Sequence, residues 1–133
     1  MHNMPDPTVL YIEDDTEMID LVRLILSRKG IAVKGAEGGK RGLELVKTIH
    51  PDLVLLDLMM PDMDGWEVFQ QIKSDPDTAS IPCIIITARS QPIDRVLGLY
   101  IARVDDYLSK PFRPADLTAS VEKVLHLDSP TAA

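Results

Sequence analysis

Residues 52–68, DLVLLDLMMPDMDGWEV, contain four consecutive apolar residues, Leu53-Val54-Leu55-Leu56, closed on either side by Asp52 and Asp57. A run this short, apolar at every position rather than every second one, reads as a strand buried on both faces. It ends in a carboxylate and passes into a turn segment containing Pro61 and Gly65. Outward from it lie four more short runs: TVLYIE (8–13), IAVKGA (31–36), IPCIIIT (81–87) and DDYLS (105–109). The longer segments between the runs carry apolar residues at helical spacing, so strand and helix alternate as βα units. The first, third and fourth runs, with few polar and many branched residues, are predicted to be the central strands.

In the first helical segment Met18, Leu21, Val22 and Ile25 are expected to form the inward stripe, with Asp15 or Thr16 capping its start and Gly30 stopping it. In the second, Gly42, Leu45, Val46 and Ile49 repeat the pattern until His50-Pro51. Trp66 and Phe69 open a third helix as packing or surface residues, and the last runs from about Pro114 to His126 with Leu117, Val121, Val124 and Leu125 inward. Parallel strands joined by right-handed helical crossovers give a doubly wound α/β sheet, helices on both faces, whose ligands bind beyond the carboxyl ends of the strands.

A length of 133 residues suits one core. The expected division is an N-terminal tail at 1–7, a folded domain at 8–127 and a C-terminal tail at 128–133. With 21 acidic and 14 basic side chains the net charge is −7, and no Lys/Arg block is long enough to track a phosphate backbone, which disfavours direct nucleic-acid binding. No run approaches the ~20 apolar residues of a membrane span, and the first residues lack the pattern of a secretory signal, so a cytoplasmic location is expected. Cys83, the single cysteine, sits inside IPCIIIT and is read as core rather than redox chemistry.

The predicted strand ends present Glu13-Asp14-Asp15, Asp57, Thr87 and Lys110-Pro111. If the first and third strands are neighbours, their carboxylates crowd together and require a cation. Mg2+, held by one or two carboxylates plus phosphate oxygens, fits that need. A carboxylate beside Mg2+ can attack phosphorus to form an aspartyl phosphate, with Lys110 supplying positive charge and Thr87 a hydroxyl donor.

The spacing of Glu13-Asp14, Asp57, Thr87, Tyr107 and Lys110-Pro111-Phe112, together with LVLLDLMMPDMDGWEV, resembles chemotaxis-receiver-like response-regulator receiver domains of two-component signal transduction over nearly the whole chain. The resemblance implies five parallel strands in the flavodoxin-like order 2-1-3-4-5. It implies Asp57 as phosphoacceptor, with Lys110 and Thr87 as its catalytic companions, and Mg2+ held by Asp14, Asp57 and the Met59 backbone carbonyl, Glu13 acting through water. Thr87 and Tyr107 would form the switch, Lys110-Pro111 a cis bond, and Met59 and Arg89 would tune hydrolysis. The implied donor is a sensor histidine kinase or a histidine phosphotransfer protein. Output would go to a downstream protein target or a self-dimer through the fourth-helix to fifth-helix face, around Pro92–Tyr100 and Ser109–Leu117. The chain is expected to act as a stand-alone receiver, catalysing only its own phosphorylation and slow dephosphorylation. One departure lies in GLYIARVDDYL (98–108), one residue longer than the family pattern and without its glycine before the paired aspartates. It bears on how the fourth helix ends.

Other functions fit less well. A Mg2+-dependent aspartyl phosphohydrolase would want an acid where Met59 stands. A flavodoxin-like cofactor binder would want Gly, Ser and Thr in the first turn, which here is acidic. A phosphate-independent docking module has no need of the full set of strand-end residues. Asp62-Met63-Asp64-Gly65 hints at a calcium loop, but Met60 and Gln71 occupy its first and last acid positions. His2, His50 and His126 are too scattered for a metal cluster or a phosphohistidine relay.

Overall fold

The computed structural model describes residues 6–89 and 91–127. The five runs become β1 (Thr8–Ile12), β2 (Ala32–Ala36), β3 (Leu53–Leu56), β4 (Cys83–Thr87) and β5 (Asp106–Ser109), all parallel, in the order β2-β1-β3-β4-β5. This is the expected doubly wound arrangement. Each strand is one or two residues shorter than its apolar run, although ladder hydrogen bonds continue past the ends, as from Asp57 N–H to the Ile12 carbonyl and from Glu13 N–H to that of Ala36. The crossovers are α1 (Thr16–Ser27), α2 (Gly39–Ile49), α3 (Gly65–Ser74) and α4 (Pro92–Val96), the last continued by a π-helical segment, Leu97–Ala102; α5 (Pro114–Val124) follows β5. Among the described residues no helix is long and apolar enough to cross a membrane. The expected tails lie outside the described residues apart from Asp6 and Pro7.

Successive strand side chains point to opposite faces, so the continuous apolar strands feed two cores. Val9, Tyr11, Leu53, Leu55, Ile84 and Ile86 meet Ile19, Val22, Leu26, Leu117 and Val121 of α1 and α5. Leu10, Ile12, Val54, Leu56, Cys83, Ile85 and Tyr107 meet Leu45, Val46, Val68, Phe69 and Ile72 of α2 and α3. Cys83 is fully buried there, and burial pushes its thiol up to about 12.

The inward stripe of α1 differs from expectation. Ile19, Val22 and Leu26 are buried, whereas Leu21 is 44% exposed. The segment is apolar on two adjacent stripes, and the sheet selects between them. Gly35 on β2 leaves the space Ile19 fills, since a Cβ there would stand 2.5 Å from Ile19 Cγ2. Asp15 caps α1, accepting from the N–H groups of Glu17 and Met18. The α5 helix ends at Val124, two residues earlier than predicted, because His126 adopts a left-handed conformation. Its inward positions Leu117 and Val121 are as expected, with Val124 and Leu125 half-buried.

Candidate functional site

The side-chain alternation that divides the core also sorts the strand-end groups. Glu13 continues the Tyr11 side of β1 and Asp57 the Leu55 side of β3, so both lean toward the layer of α1 and α5. Thr87 and Tyr107 share the opposite parity, that of Ile85, toward α3 and the π-helical segment. Because β1 and β3 are adjacent, Glu13, Asp14 and Asp57 meet, with one oxygen from each within 4.8 Å of the others. Among the described residues no other group of acids, histidines or cysteine is so arranged.

Lys110 joins them from the turn after β5, on a cis Lys110-Pro111 bond. Its ammonium donates to Asp57 Oδ2 at 3.0 Å and to Glu13 Oε1 at 2.5 Å. Glu13, only 1% exposed, is fully engaged: Oε1 also accepts from the Tyr11 hydroxyl at 3.0 Å, and Oε2 from the Asp14 and Asp15 N–H groups. Burial lifts the Glu13 carboxyl above its ordinary range, opposed by the Lys110 hydrogen bond and reinforced by the Asp57 charge. Burial pulls the Lys110 ammonium down, but its bonds to the two acids outweigh this and hold it above its usual value. Three acids facing one ammonium form an anionic, oxygen-only set suited to a hard divalent cation.

Asp57 is 4% exposed, and its Oδ1 accepts from the Met59 N–H at 3.0 Å. Behind it, α3 begins so close that a Cβ on Gly65 would stand 2.4 Å from the Asp57 carbonyl oxygen, so only glycine fits. The Met59 side chain is exposed beside this turn. Thr87 is buried, and its hydroxyl accepts from the Arg89 N–H at 3.2 Å, with no hydrogen bond to Asp57 or Lys110. Tyr107, the other residue of the implied switch, is 1% exposed and points inward, its hydroxyl donating to the Arg89 carbonyl. Thr87 and Tyr107 are therefore joined through the backbone of Arg89.

The other acids of the loop have local duties. Asp64 caps α3 through the Trp66 N–H, and Asp62 accepts from the Gly39 and Lys40 N–H groups at the start of α2. His50 and His126 sit at helix ends away from the cluster, and His2 lies outside the described residues. Sequence reasoning missed Tyr11, whose signal was its place two residues before Glu13 on the same strand face. It also missed Arg95, which no local pattern distinguishes from a solvated helix residue.

Residues 9–122 match the family model of the response regulator receiver domain. Among curated relatives, the DNA-binding dual master transcriptional regulator RpaA of Synechocystis sp. is 40% identical over 90% of this chain and 49% of its own length. The alkaline phosphatase synthesis transcriptional regulatory protein PhoP of Bacillus subtilis is 35% identical over 88% of this chain and 48% of its own. The chain thus spans about half the length of the curated relatives it matches. Among solved structures, the receiver domain of the Francisella response regulator 1452 superposes with a TM-score of 0.83 at 29% identity, over 91% of this chain and 98% of that one. A CheY-like receiver domain protein from Methanospirillum hungatei gives 0.81 at 27% identity, over 91% and 94%.

Proposed function

Because this chain belongs to the response regulator receiver family, whose members are signalling modules of two-component systems rather than conventional enzymes, we propose that Asp57 is its phosphoacceptor. The observation that carries this reading is the buried Asp57 carboxylate, fixed by the Lys110 ammonium and the Met59 N–H inside the Glu13–Asp14 acid cluster. An Asp57 oxygen attacks the phosphorus of a donor and the bond from phosphorus to the leaving atom breaks. Lys110 and the hydroxyl of Thr87 then bind the phosphoryl oxygens.

Asp14, Asp57 and the Met59 carbonyl would hold Mg2+, with Glu13 reaching it through water because both of its oxygens are already taken. Bound by these residues, Mg2+ would supply the positive charge that offsets the carboxylates and the transferring group. To reach the phosphoryl group, Thr87 gives up the Arg89 N–H, which links Asp57 chemistry to the strand bearing Tyr107. The donor on this reading is a sensor histidine kinase or histidine phosphotransfer protein in the cytoplasm. The output is a protein target or a second copy docking on the face from α4 to α5. The relative RpaA is named as DNA-binding; with a net charge of −7, this chain is proposed to serve such an output through protein contact rather than by touching nucleic acid.

The test is exposure to acetyl phosphate with and without Mg2+, read by intact mass on the wild type and Asp57→Ala. One phosphoryl adduct that needs Mg2+ and disappears in the variant is expected. An unmodified wild type, or an adduct that survives in Asp57→Ala, would refute the assignment.

A further inference from the structure

The π-helical segment and the strand beside it hold a device that the acceptor site does not use. Leu97–Ala102 winds one residue wider than an α-helix, and the N–H groups of both Arg103 and Val104 close on the Gly98 carbonyl. This absorbs the extra residue of GLYIARVDDYL and seats Gly98 against the ring of Tyr107. A Cβ at Gly98 would stand 2.7 Å from Tyr107 Cδ2, 3.0 Å from Cε2 and 3.6 Å from Trp66 Cη2. The ring therefore fills a slot that a single methyl group would close.

Arg95 fastens the same residue from outside. Its Nη1 donates to the Tyr107 carbonyl at 2.6 Å, and its guanidinium lies 5.6 Å from the ring centroid. Since β5 is an edge strand, that carbonyl faces away from the sheet, and Arg95 takes the place of a sixth strand's donor. With the Tyr107 hydroxyl on the Arg89 carbonyl, the residue is fixed by its face, its edge, its tip and its backbone. Every one of these contacts is made by the chain's own atoms. With the ring turned in, an open groove of about 470 Å³ remains over β5 between Arg95, Leu108, Phe112 and Ser120.

We propose that Gly98 and Arg95 are positioning residues that latch Tyr107 inward whether or not Asp57 is phosphorylated, so that the groove over β5 is preformed. The inference rests on the reading of Thr87 and Tyr107 as the switch pair, and it places this receiver's resting Tyr107 where that switch would otherwise have to bring it. The Thr87 half of the pair stays free to respond.

The test uses the whole chain labelled with 3-fluorotyrosine. Its three tyrosines, Tyr11, Tyr100 and Tyr107, are assigned by Tyr→Phe variants. Relaxation of each fluorine by a soluble gadolinium chelate reports exposure, before and after acetyl phosphate with Mg2+, and intact mass of the same samples reports the adduct. Tyr100, 72% exposed, is the accessible control. Wild-type Tyr107 is expected to be protected in both states. Gly98→Ala and Arg95→Met should each raise its relaxation several-fold in the untreated protein, while Arg95→Met forms the adduct as the wild type does. Arg95 lies half-buried on the helix surface, so this variant carries the test if Gly98→Ala fails to fold. Tyr107 as accessible as Tyr100 in the untreated wild type would overturn the latch, as would protection unchanged in Arg95→Met. An adduct with Tyr107 exposed at rest refutes the latch alone; protection without any adduct refutes the Asp57 reading and leaves the latch standing.

Discussion

Lys110 touches two buried acids at once, and among the described residues no other cation is paired with either. Replacing it with methionine keeps most of its volume but leaves Glu13 and Asp57 facing each other without an ammonium. Hydrogen bonds to charged groups contribute about 1.5–3 kcal/mol. Lys110→Met is therefore expected to lose on that order in urea unfolding with EDTA, and to regain part of it in Mg2+, where a second cation offsets the acids. An unchanged midpoint in EDTA would show that the pair is neutral in balance. The Glu13 environment has the same logic: its oxygens are satisfied by Tyr11, Lys110 and two backbone N–H groups, which is why so deeply buried an acid is tolerated.

Two helix ends depend on residues outside the helix they serve. The N-cap of α2 is Gly38, which has no side chain to offer, and the carboxylate of Asp62, 23 residues beyond Gly39, fills the role. Those bonds from the Gly39 and Lys40 N–H groups hold the Asp62 carboxyl below its ordinary range. Asp62→Ala is expected to cost about 1 kcal/mol at pH 7, the usual value of a cap. Because the folded-state pKa is the lower one, this stability is present above the unfolded value of about 3.9 and is lost as pH falls through the folded value. The gap between wild type and variant in urea unfolding should close in that acid range. At the other helix end, Arg103 adopts φ 63° and ψ 43° to stop the π-helical segment, a conformation that costs an L-residue about 1–2 kcal/mol. Arg103→Gly removes the strain but loosens the unfolded chain, so a net gain of about 0.5 kcal/mol in thermal or urea unfolding is expected.

Across the whole molecule, the doubly covered sheet makes Cys83 a reporter of global opening. It is fully buried in β4, and burial pushes its thiol up to about 12, so little of the reactive thiolate forms at pH 8. Labelling by a disulfide reagent in the native state is expected to be slow, to accelerate with urea in step with unfolding, and to slow further in Mg2+. Rapid labelling without urea would contradict the closed packing of α2 and α3 over the Cys83 face of the sheet. The sequence by itself determined the strands, their central or edge placement and which polar residues stand at their ends, because apolar runs, period-two alternation and a terminal carboxylate are local properties of the chain. Even Tyr11 was legible by that alternation. Only the tertiary structure decided which of two apolar stripes on α1 faces the sheet, since that turns on the space left by Gly35. It alone supplied Asp62 as the missing cap of α2, and it alone wound Leu97–Ala102 into a π-helical segment with Arg95 and Gly98 closing on Tyr107. Each of these pairs residues from different elements, and a one-dimensional pattern carries the period of an element but not which partner its faces will meet.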